Sequence, residues 1–219
     1  MTRVLIIAAG SDQRWNNHRG TAKHLAVVEK EVLLKRTVDQ FLKYTDDVCV
    51  VGPDASYLVD GAQLYVVKSQ NTHWRDAAKF LSSKNLWNPN GRTILVFGDV
   101  WLTPNAVKKI VKNKDSFKWF LRKGASEITG KNRGEIFAFA FNSSQAAELS
   151  QKLLYLVSMG QGQQHAQWDF YRATVGPVVS DMFTNPHYEE IDDWTEDFDT
   201  PADFDTWEAL RIESRKKKK

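Results

Sequence analysis

The sequence predicts an α/β protein of three layers, in which helices cover both faces of a mainly parallel, twisted sheet. Short apolar segments that indicate strands alternate along the chain with amphipathic segments of helical spacing. The strand segments are runs of Val, Leu and Ile rather than alternations of apolar and polar residues, which is typical of strands buried on both faces. Because no apolar run reaches about 18 residues, the sequence predicts no membrane-spanning helix.

Each predicted element follows from a local pattern. Leu34, Val38 and Phe41 recur at helical spacing, and Pro104 has the fixed φ that suits the first turn of a helix. Gly-Pro and Gly-Asp end two of the apolar strands. The predicted strands are 3–9, 48–52, 64–67, 93–97, 117–121 and 135–141. The predicted helices are 33–44, 76–86, 104–111 and 144–157.

The composition indicates one domain, residues 1–214, followed by a basic tail, residues 215–219. The chain has 219 residues and a formal charge of +3, and the tail supplies five positive charges, so residues 1–214 carry −2. Such a tail is usually solvated, and contact with nucleic acid or another acidic surface is the less favoured alternative. The single cysteine, Cys49, excludes a disulfide framework, and with the absence of a signal-peptide pattern it predicts a cytoplasmic protein.

The stretch LIIAAGSDQRWNNHRGTAKHL, from Leu5 to Leu25, combines a buried strand, a glycine turn and cationic side chains. Gly10 lets the backbone approach a ligand, and the turn exposes N–H groups that suit phosphate oxygens. Arg14 and Lys23 are candidates to pair with a polyphosphate, although such residues in surface loops are most often only solvated. The stretch has neither the Gly-Lys-Ser/Thr of a Walker A loop nor the three spaced glycines of a dinucleotide-binding loop.

Carboxylates follow later strand-like segments. Asp99 comes directly after the fourth predicted strand and Gly98, and acidic residues cluster at 189–204. Ligands of such sheets bind at the carboxyl ends of the strands, so we expect these carboxylates and the opening loop to form one site. Asp99 either binds Mg²⁺, which prefers oxygen ligands, or caps a turn or the helix predicted from residue 104.

Four segments resemble nucleotidyltransferases with a GT-A-type, Rossmann-like fold, the family that makes nucleotide-activated sugars and related compounds. They occur in family order and at family spacing: AAGSDQR with AKHL, then LLKRTVDQF, FGDV and DFDTPADF. Sugar-phosphate nucleotidyltransferases and molybdenum-cofactor guanylyltransferase-like enzymes share this pattern. The region 125–187 matches no part of the family that we can identify.

The resemblance implies that a nucleoside monophosphate is transferred from a nucleoside triphosphate to a small phosphomonoester, such as a sugar 1-phosphate, with release of pyrophosphate. It implies Mg²⁺ bound by Asp99 and Asp199, and Arg14 and Lys23 as catalytic cations that stabilise the leaving pyrophosphate. The nucleotide contacts that it implies are Ala8, Ala9, Gly10, Ser11, Asp12, Arg14, Lys23, Gly52, Asn71 and Gly98.

The chain departs from the family pattern in the opening loop. Asp12 stands where the family has its second glycine, and Ala22 stands where it has a proline. A carboxylate in this loop repels phosphate, so either the triphosphate is held differently or the donor is a nucleotide sugar. The alternatives are therefore a glycosyltransferase of the same fold, for example on a polymeric or nucleic-acid acceptor, and a nucleotide-binding domain without catalytic activity.

Several other side chains are candidates with ordinary alternatives. Asp197 and Asp192 are substitutes for Asp199, while Thr200, Pro201 and Asp203 match a helix start that leaves Asp199 pointing outwards. Trp101 is a candidate to stack on a sugar or a base. Cations that hold an acceptor phosphate, or are simply solvated, are Arg122, Lys123, Lys131 and Arg133. His165 and Asp169 form a metal pair or, as we favour, a polar helix face.

Overall fold

The computed structural model describes residues 1–9, 14–67, 76–158, 166–176 and 187–217. Its strands are β1 (Thr2–Ile7), β2 (Val27–Val28), β3 (Glu31–Val32), β4 (Val48–Gly52), β5 (Gln63–Val66), β6 (Arg92–Phe97), β7 (Val100–Trp101), β8 (Phe117–Arg122), β9 (Glu135–Asn142), β10 (Tyr188–Glu190) and β11 (Glu196–Asp197). Its α-helices are α1 (Leu33–Leu42), α2 (Asp76–Ser82), α3 (Pro104–Lys112), α4 (Ala146–Ser158), α5 (Ala166–Val175) and α6 (Pro201–Lys216).

The central sheet has seven strands in the order β10-β8-β9-β6-β1-β4-β5. β1 pairs in parallel with β4 and β6, β4 with β5, and β8 with β10. Among the described strands of this sheet, only β9 runs in the opposite direction, since it pairs antiparallel with both β6 and β8. The carboxyl ends of β1, β4, β6 and β8 therefore share one edge with the amino end of β9, and the predicted mainly parallel sheet is confirmed.

Helices cover both faces of the sheet, which confirms the predicted three layers. Successive residues of β1 point to opposite faces. Val4 and Ile6 lie in a cluster with side chains of α1 and α3, whereas Leu5 and Ile7 lie in one with side chains of α2, α4 and α5. All four β1 side chains are buried. The strand is consequently a continuous apolar run rather than an alternation of apolar and polar residues.

The predicted strands and helices all occur, with ends that differ by a few residues. The helix predicted to residue 86 ends at Ser82, because the Ser83 hydroxyl and N–H both donate to the Phe80 carbonyl and a 3₁₀ turn follows at Lys84–Leu86. The helix predicted to residue 44 ends at Leu42, where the chain tightens into a turn. The two-residue strands are not predicted, because segments this short carry no detectable period.

A third group of buried apolar side chains joins α6 to the opening loop and to the β2–β3 hairpin. Trp101 lies at its centre, and its ring contacts Trp207 at 4.8 Å between centroids. The guanidinium of Arg36 lies 4.1 Å from the Trp101 ring centroid. Because Trp101 has no exposed surface, the expected stacking of this ring on a ligand is wrong. The other buried members are Trp15, Ala26, Val28, Leu33, Phe198 and Phe204.

The structure confirms the predicted start of α6. The Thr200 hydroxyl accepts the Asp203 N–H at 3.2 Å, and the Asp203 carboxylate accepts the Thr200 N–H at 2.9 Å. The helix runs through Lys216, so the first residues of the expected tail are helical, and Arg215 pairs with Glu29 at 2.7 Å. Within the described ranges, no helix, α6 included, has the length and apolar character that crossing a membrane requires.

Candidate functional site

The candidate site lies where the carboxyl ends of β1 and β6 run side by side. The Gly98 N–H donates to the Ile7 carbonyl at 2.9 Å, and the Ala8 N–H donates to the Val51 carbonyl at 2.8 Å. A Cβ at position 98 would lie 2.9 Å from the Ala8 Cβ, so glycine is needed for the two strand ends to pack this closely. Asp99 follows directly, and this contact holds it beside the start of the opening loop.

Two very short strands bring the acidic segment of the chain to Asp99. β7 pairs antiparallel with β11, and the Phe198 N–H donates to the Asp99 carbonyl at 3.1 Å. As a result, one carboxylate oxygen from each of Asp99, Asp197 and Asp199 lies within 4.8 Å of the other two. The structure therefore brings together the two predicted metal ligands, and it adds Asp197 to them rather than exchanging it for Asp199.

Lys23 and Asp99 form an ion pair whose side chains are both largely buried. Burial favours the neutral lysine, but the carboxylates of Asp99, Asp197 and Asp199 outweigh it and raise the pKa of Lys23. Burial likewise disfavours the ionised Asp99, yet the Lys23 ammonium holds the pKa of that carboxyl below its usual value. Both groups are therefore charged at neutral pH, and the buried pair fixes a positive charge at the site.

Two arginines from different loops meet at Asp199. Arg14, which follows β1, makes a bidentate pair with this carboxylate at 2.7 and 2.9 Å. Arg133, which lies just before β9, donates to the Asp199 Oδ2 at 2.9 Å. The Asp199 side chain is 14% exposed, whereas those of Arg14 and Arg133 are 64% and 49% exposed. Both arginines can therefore turn towards a ligand without leaving a buried position.

Asp197 is the buried member of the cluster. Burial, together with the Asp199 and Asp99 carboxylates, raises the pKa of Asp197 well above its usual value. Its Oδ1 has no hydrogen-bond partner among the described residues. Lys131 offsets part of this cost, since its Nζ donates to the Asp197 carbonyl at 3.0 Å and lies 3.8 Å from Oδ2.

The cluster has the donor set that a hard divalent cation prefers. Its three members offer only carboxylate oxygens, and one of these, on Asp197, is buried without a partner. Carboxylates this close repel one another unless a cation lies between them or a proton neutralises one of them. Asp99, Asp197 and Asp199 therefore fit Mg²⁺ in chemical type and in spacing.

A buried ion network supports the cluster from behind. Arg122 donates to both carboxylate oxygens of Glu196, at 3.1 and 3.2 Å, and both side chains are 2% exposed. Lys131 pairs with Glu135 at 3.0 Å and with Glu196 at 3.6 Å. Arg122 and Lys131 are thus committed to holding β11 and its neighbours in place. Because Arg122 is 2% exposed and bonded to Glu196 through both terminal nitrogens, the expectation that it binds an acceptor phosphate is wrong; for Lys131 it stays a prediction.

The remaining predicted residues have varied positions. Gly52 is the last residue of β4 and lies against Tyr57. A Cβ added to Gly52 would be 2.8 Å from the Tyr57 Cβ, so a glycine is needed here for packing. Asp192 is exposed and is not part of the carboxylate cluster. Asp169 pairs with Arg172 at 3.1 Å. Residues outside the described ranges are Gly10, Ser11, Asp12, Asn71 and His165.

His24 is a feature of the site that the sequence analysis did not identify. It follows Lys23, is 1% exposed, and has the Tyr57 hydroxyl 3.5 Å from its Nδ1. Burial lowers the pKa of His24 to about 3, which keeps the ring neutral behind the Lys23–Asp99 pair. The apolar run that follows AKHL, residues 26–28, was the available signal, because it indicates that this turn lies partly inside the protein.

Comparisons with protein-family models and with curated protein sequences gave no match. A comparison with solved structures gave matches. A candidate glucose-1-phosphate thymidylyltransferase from Bacillus anthracis is 16% identical, with a TM-score of 0.65 over 96% of this chain and 95% of that one. The CTP:phosphocholine cytidylyltransferase of Streptococcus pneumoniae is 11% identical, with a TM-score of 0.65 over 96% and 99%. The inositol-1-phosphate CTP transferase of T. maritima is 14% identical, with a TM-score of 0.61 over 96% of both chains.

At sequence identities this low, the similarity shows a shared fold, and it extends over almost the whole chain. The seven-stranded sheet and its covering helices are those of the nucleotidyltransferases named above. The segment FGDV lies at the carboxyl end of β6, and DFDTPADF contributes Asp197 and Asp199 to the cluster there. The chain therefore has a nucleotidyltransferase fold, as its sequence predicts.

Proposed function

We propose that the protein is a Mg²⁺-dependent nucleotidyltransferase, which transfers a nucleoside monophosphate from a nucleoside triphosphate to a phosphomonoester. The observation that carries the proposal is the three-carboxylate cluster beside Lys23 and Arg14, at the carboxyl edge of a nucleotidyltransferase fold. Such a transfer requires carboxylates that bind a metal ion and cations that bind phosphates. The protein itself does little covalent chemistry in this reaction. The names of the structural neighbours support the same reaction class.

In the proposed reaction, a phosphate oxygen of the acceptor attacks the α-phosphorus of the triphosphate and displaces pyrophosphate. A bond between that oxygen and the α-phosphorus forms while the bond to the bridging oxygen breaks, and the electron pair leaves with pyrophosphate. A phosphomonoester is already largely ionised at neutral pH, so the attack needs no general base. The protein therefore has to align the two reactants and stabilise the charge that moves to the leaving group.

Asp99, Asp197 and Asp199 would hold Mg²⁺. When bound, the ion supplies neutralisation of charge on the phosphate oxygens. Its binding would also relieve the mutual repulsion of the three carboxylates, which Lys23, Arg14, Arg133 and Lys131 offset only in part.

Lys23 and Arg14 would bind the triphosphate in different ways. Lys23 is held by burial and by its pair with Asp99, so its charge is preorganised and needs no rearrangement when the leaving group develops. Arg14 is mostly exposed and pairs with Asp199. With Asp199 engaged as a metal ligand, the Arg14 fork would be free to turn to a phosphate, which it would bind with the same bidentate geometry.

The proposal is tested by incubating the protein with Mg²⁺, each of ATP, CTP, GTP, UTP and dTTP, and phosphomonoesters such as glucose 1-phosphate, inositol 1-phosphate and phosphocholine. We expect pyrophosphate release for at least one pair of triphosphate and acceptor, with a requirement for both. Release should be lost in Asp99→Asn and kept in Asp192→Asn, whose carboxylate lies outside the cluster. No release with any pair, together with nucleoside diphosphate release from a nucleotide sugar, would favour glycosyl transfer instead.

A further inference from the structure

A polar cavity of about 510 Å³ lies at the amino edge of the sheet, at the opposite end of β6 from the carboxylate cluster. Its lining comes from the amino ends of β1 and β6, the loop between α3 and β8, and the carboxyl end of β9. The six residues of β6 span about 20 Å, so this cavity is separate from the candidate active site. Its volume is within the range of sites that bind small ligands.

The lining of this cavity combines cations with neutral polar groups. Arg92 begins β6, and Lys114 lies exposed in the loop between α3 and β8. Asn142 ends β9, and Ser143 and Ser144 follow it in the 3₁₀ turn that leads into α4. Among the described residues that line the cavity, none is an aspartate or a glutamate. The cavity therefore has the composition of a site for an anion.

Arg92 is a buried cation whose charge is not neutralised by the described part of the chain. Its side chain is 8% exposed, and no described carboxylate forms an ion pair with it. Its terminal nitrogens donate to neutral oxygens, the Asp115 carbonyl and the Oδ1 atoms of Asn142 and Asn113, the latter two at 3.4 and 3.2 Å. Its Nε has no partner among the described residues. The Asp115 carboxylate pairs instead with Lys118, at 2.6 Å.

An anion in the cavity would supply the missing counter-charge. Buried charges in proteins are normally paired, because neutral hydrogen bonds do not fully replace the solvation that an ion loses. Burial lowers the pKa of Arg92, and the Asp115 carboxylate opposes this only in part. The neutral partners of Arg92 hold the loop between α3 and β8 in place, but they leave both its charge and part of its donor capacity unused.

We propose that this cavity binds a phosphate group, either as free phosphate or as part of a small phosphorylated metabolite. A phosphate oxygen accepts strong hydrogen bonds from a guanidinium, an ammonium and a hydroxyl, and the cavity offers all three on Arg92, Lys114 and the two serines. The amino end of the helical segment that begins at Ser143 adds a partial positive charge. The proposal does not depend on nucleotidyl transfer, because no residue of the carboxylate cluster takes part.

The test locates bound phosphate by ¹H–¹⁵N NMR, in EDTA and at constant ionic strength set with chloride. The probes are inorganic phosphate and glucose 1-phosphate. We expect both to shift the amide signals of Gly91, Ser143 and Ser144. Lys114→Gln should weaken this binding about fivefold, the scale of one charge a few ångströms away. The control Lys112→Gln neutralises an exposed lysine outside the lining and should change the affinity less than about twofold.

A second variant, Arg92→Gln, removes the buried charge and should weaken binding more than about tenfold. If that variant does not fold, the comparison of Lys114→Gln with Lys112→Gln remains decisive. Tighter binding of glucose 1-phosphate would identify a phosphorylated metabolite as the ligand, whereas equal or weaker binding would identify free phosphate. Equal affinity in the wild type and Lys114→Gln would overturn the proposal, and so would amide shifts confined to the residues around Asp99.

Discussion

The substitution Asp197→Asn should stabilise the protein in the absence of Mg²⁺ and weaken its response to Mg²⁺. Asn has nearly the same volume as Asp, so the change leaves no cavity, but it removes one of three charges that lie within 4.8 Å of one another. The buried Oδ1 that has no partner among the described residues is also replaced by a neutral group. The Asp197 carboxylate is therefore expected to lower the free energy of unfolding of the metal-free protein. This loss should be reversed when the metal binds.

The magnitude follows from the distances. At an effective dielectric constant of about 20, and with both separations taken at the 4.8 Å limit, each of the two other carboxylates raises the energy of ionised Asp197 by about 3.5 kcal/mol, and Lys131 at 3.8 Å lowers it by about 4 kcal/mol. The remainder is about 2–3 kcal/mol, which the cations paired with Asp99 and Asp199 reduce. We expect a gain of about 2 kcal/mol in the free energy of unfolding at pH 7, or about 4–8 °C in Tm for a chain of this size.

The assay is urea unfolding at pH 7, with EDTA and with about 10 mM Mg²⁺. A site with a Kd of about 1 mM stabilises the wild type by about 1.4 kcal/mol under these conditions, and Asp197→Asn should lose most of that increment. Asp192→Asn is the control, because its carboxylate is exposed and lies outside the cluster. The reasoning is refuted if Asp197→Asn is less stable than the wild type in EDTA, or if Mg²⁺ stabilises both proteins equally.

Three further predictions concern other parts of the chain. Asp99→Ala and Asp199→Ala should each lower turnover by about 10²–10⁴-fold and weaken Mn²⁺ binding, measured by electron paramagnetic resonance, while circular dichroism stays unchanged. Burial lowers the pKa of His24 to about 3 from 6.5. Between pH 7 and pH 5 this histidine is therefore protonated in the unfolded chain but not in the folded one. The free energy of unfolding should consequently fall by about 2 kcal/mol over this range. Urea unfolding of His24→Gln at the two pH values should not show this fall. An equal fall in the variant and the wild type would contradict the prediction. Deletion of residues 215–219 should change turnover on a small acceptor less than about twofold, since exposed charges are screened within about 8–10 Å; a larger loss that low salt restores would indicate a polyanionic partner.

The sequence predicts those parts of the fold whose signal is local. The strand and helix segments are long enough for their periods to show, and the cap formed by Thr200 and Asp203 is a short-range pattern. The reversed direction of β9 has no local signal, because an apolar run looks the same in either orientation. The pairing of β7 with β11 also joins segments too short to show a period. Yet this pairing assembles the cluster.

For the candidate site, the sequence predicts which residues take part, but it predicts their burial and contacts less well. Asp197 and Asp199 are two positions apart, a spacing that places two side chains on one side of an extended segment, so their common membership of the cluster was open to prediction. The burial of Arg122 and Lys131 was not, because charged residues are mostly exposed unless distant partners pair with them. Trp101 was misassigned for the related reason that its neighbours come from α1 and α6.

The most direct test of the central claim follows the phosphorus atom of the donor. The protein is supplied with Mg²⁺, a triphosphate labelled at the α-phosphate and the acceptor that gives the strongest pyrophosphate release. The account predicts that the label appears in a nucleotide joined to the acceptor, in equal amount to the unlabelled pyrophosphate released. Label found only in free nucleoside monophosphate or diphosphate, or no consumption of the triphosphate, would contradict nucleotidyl transfer.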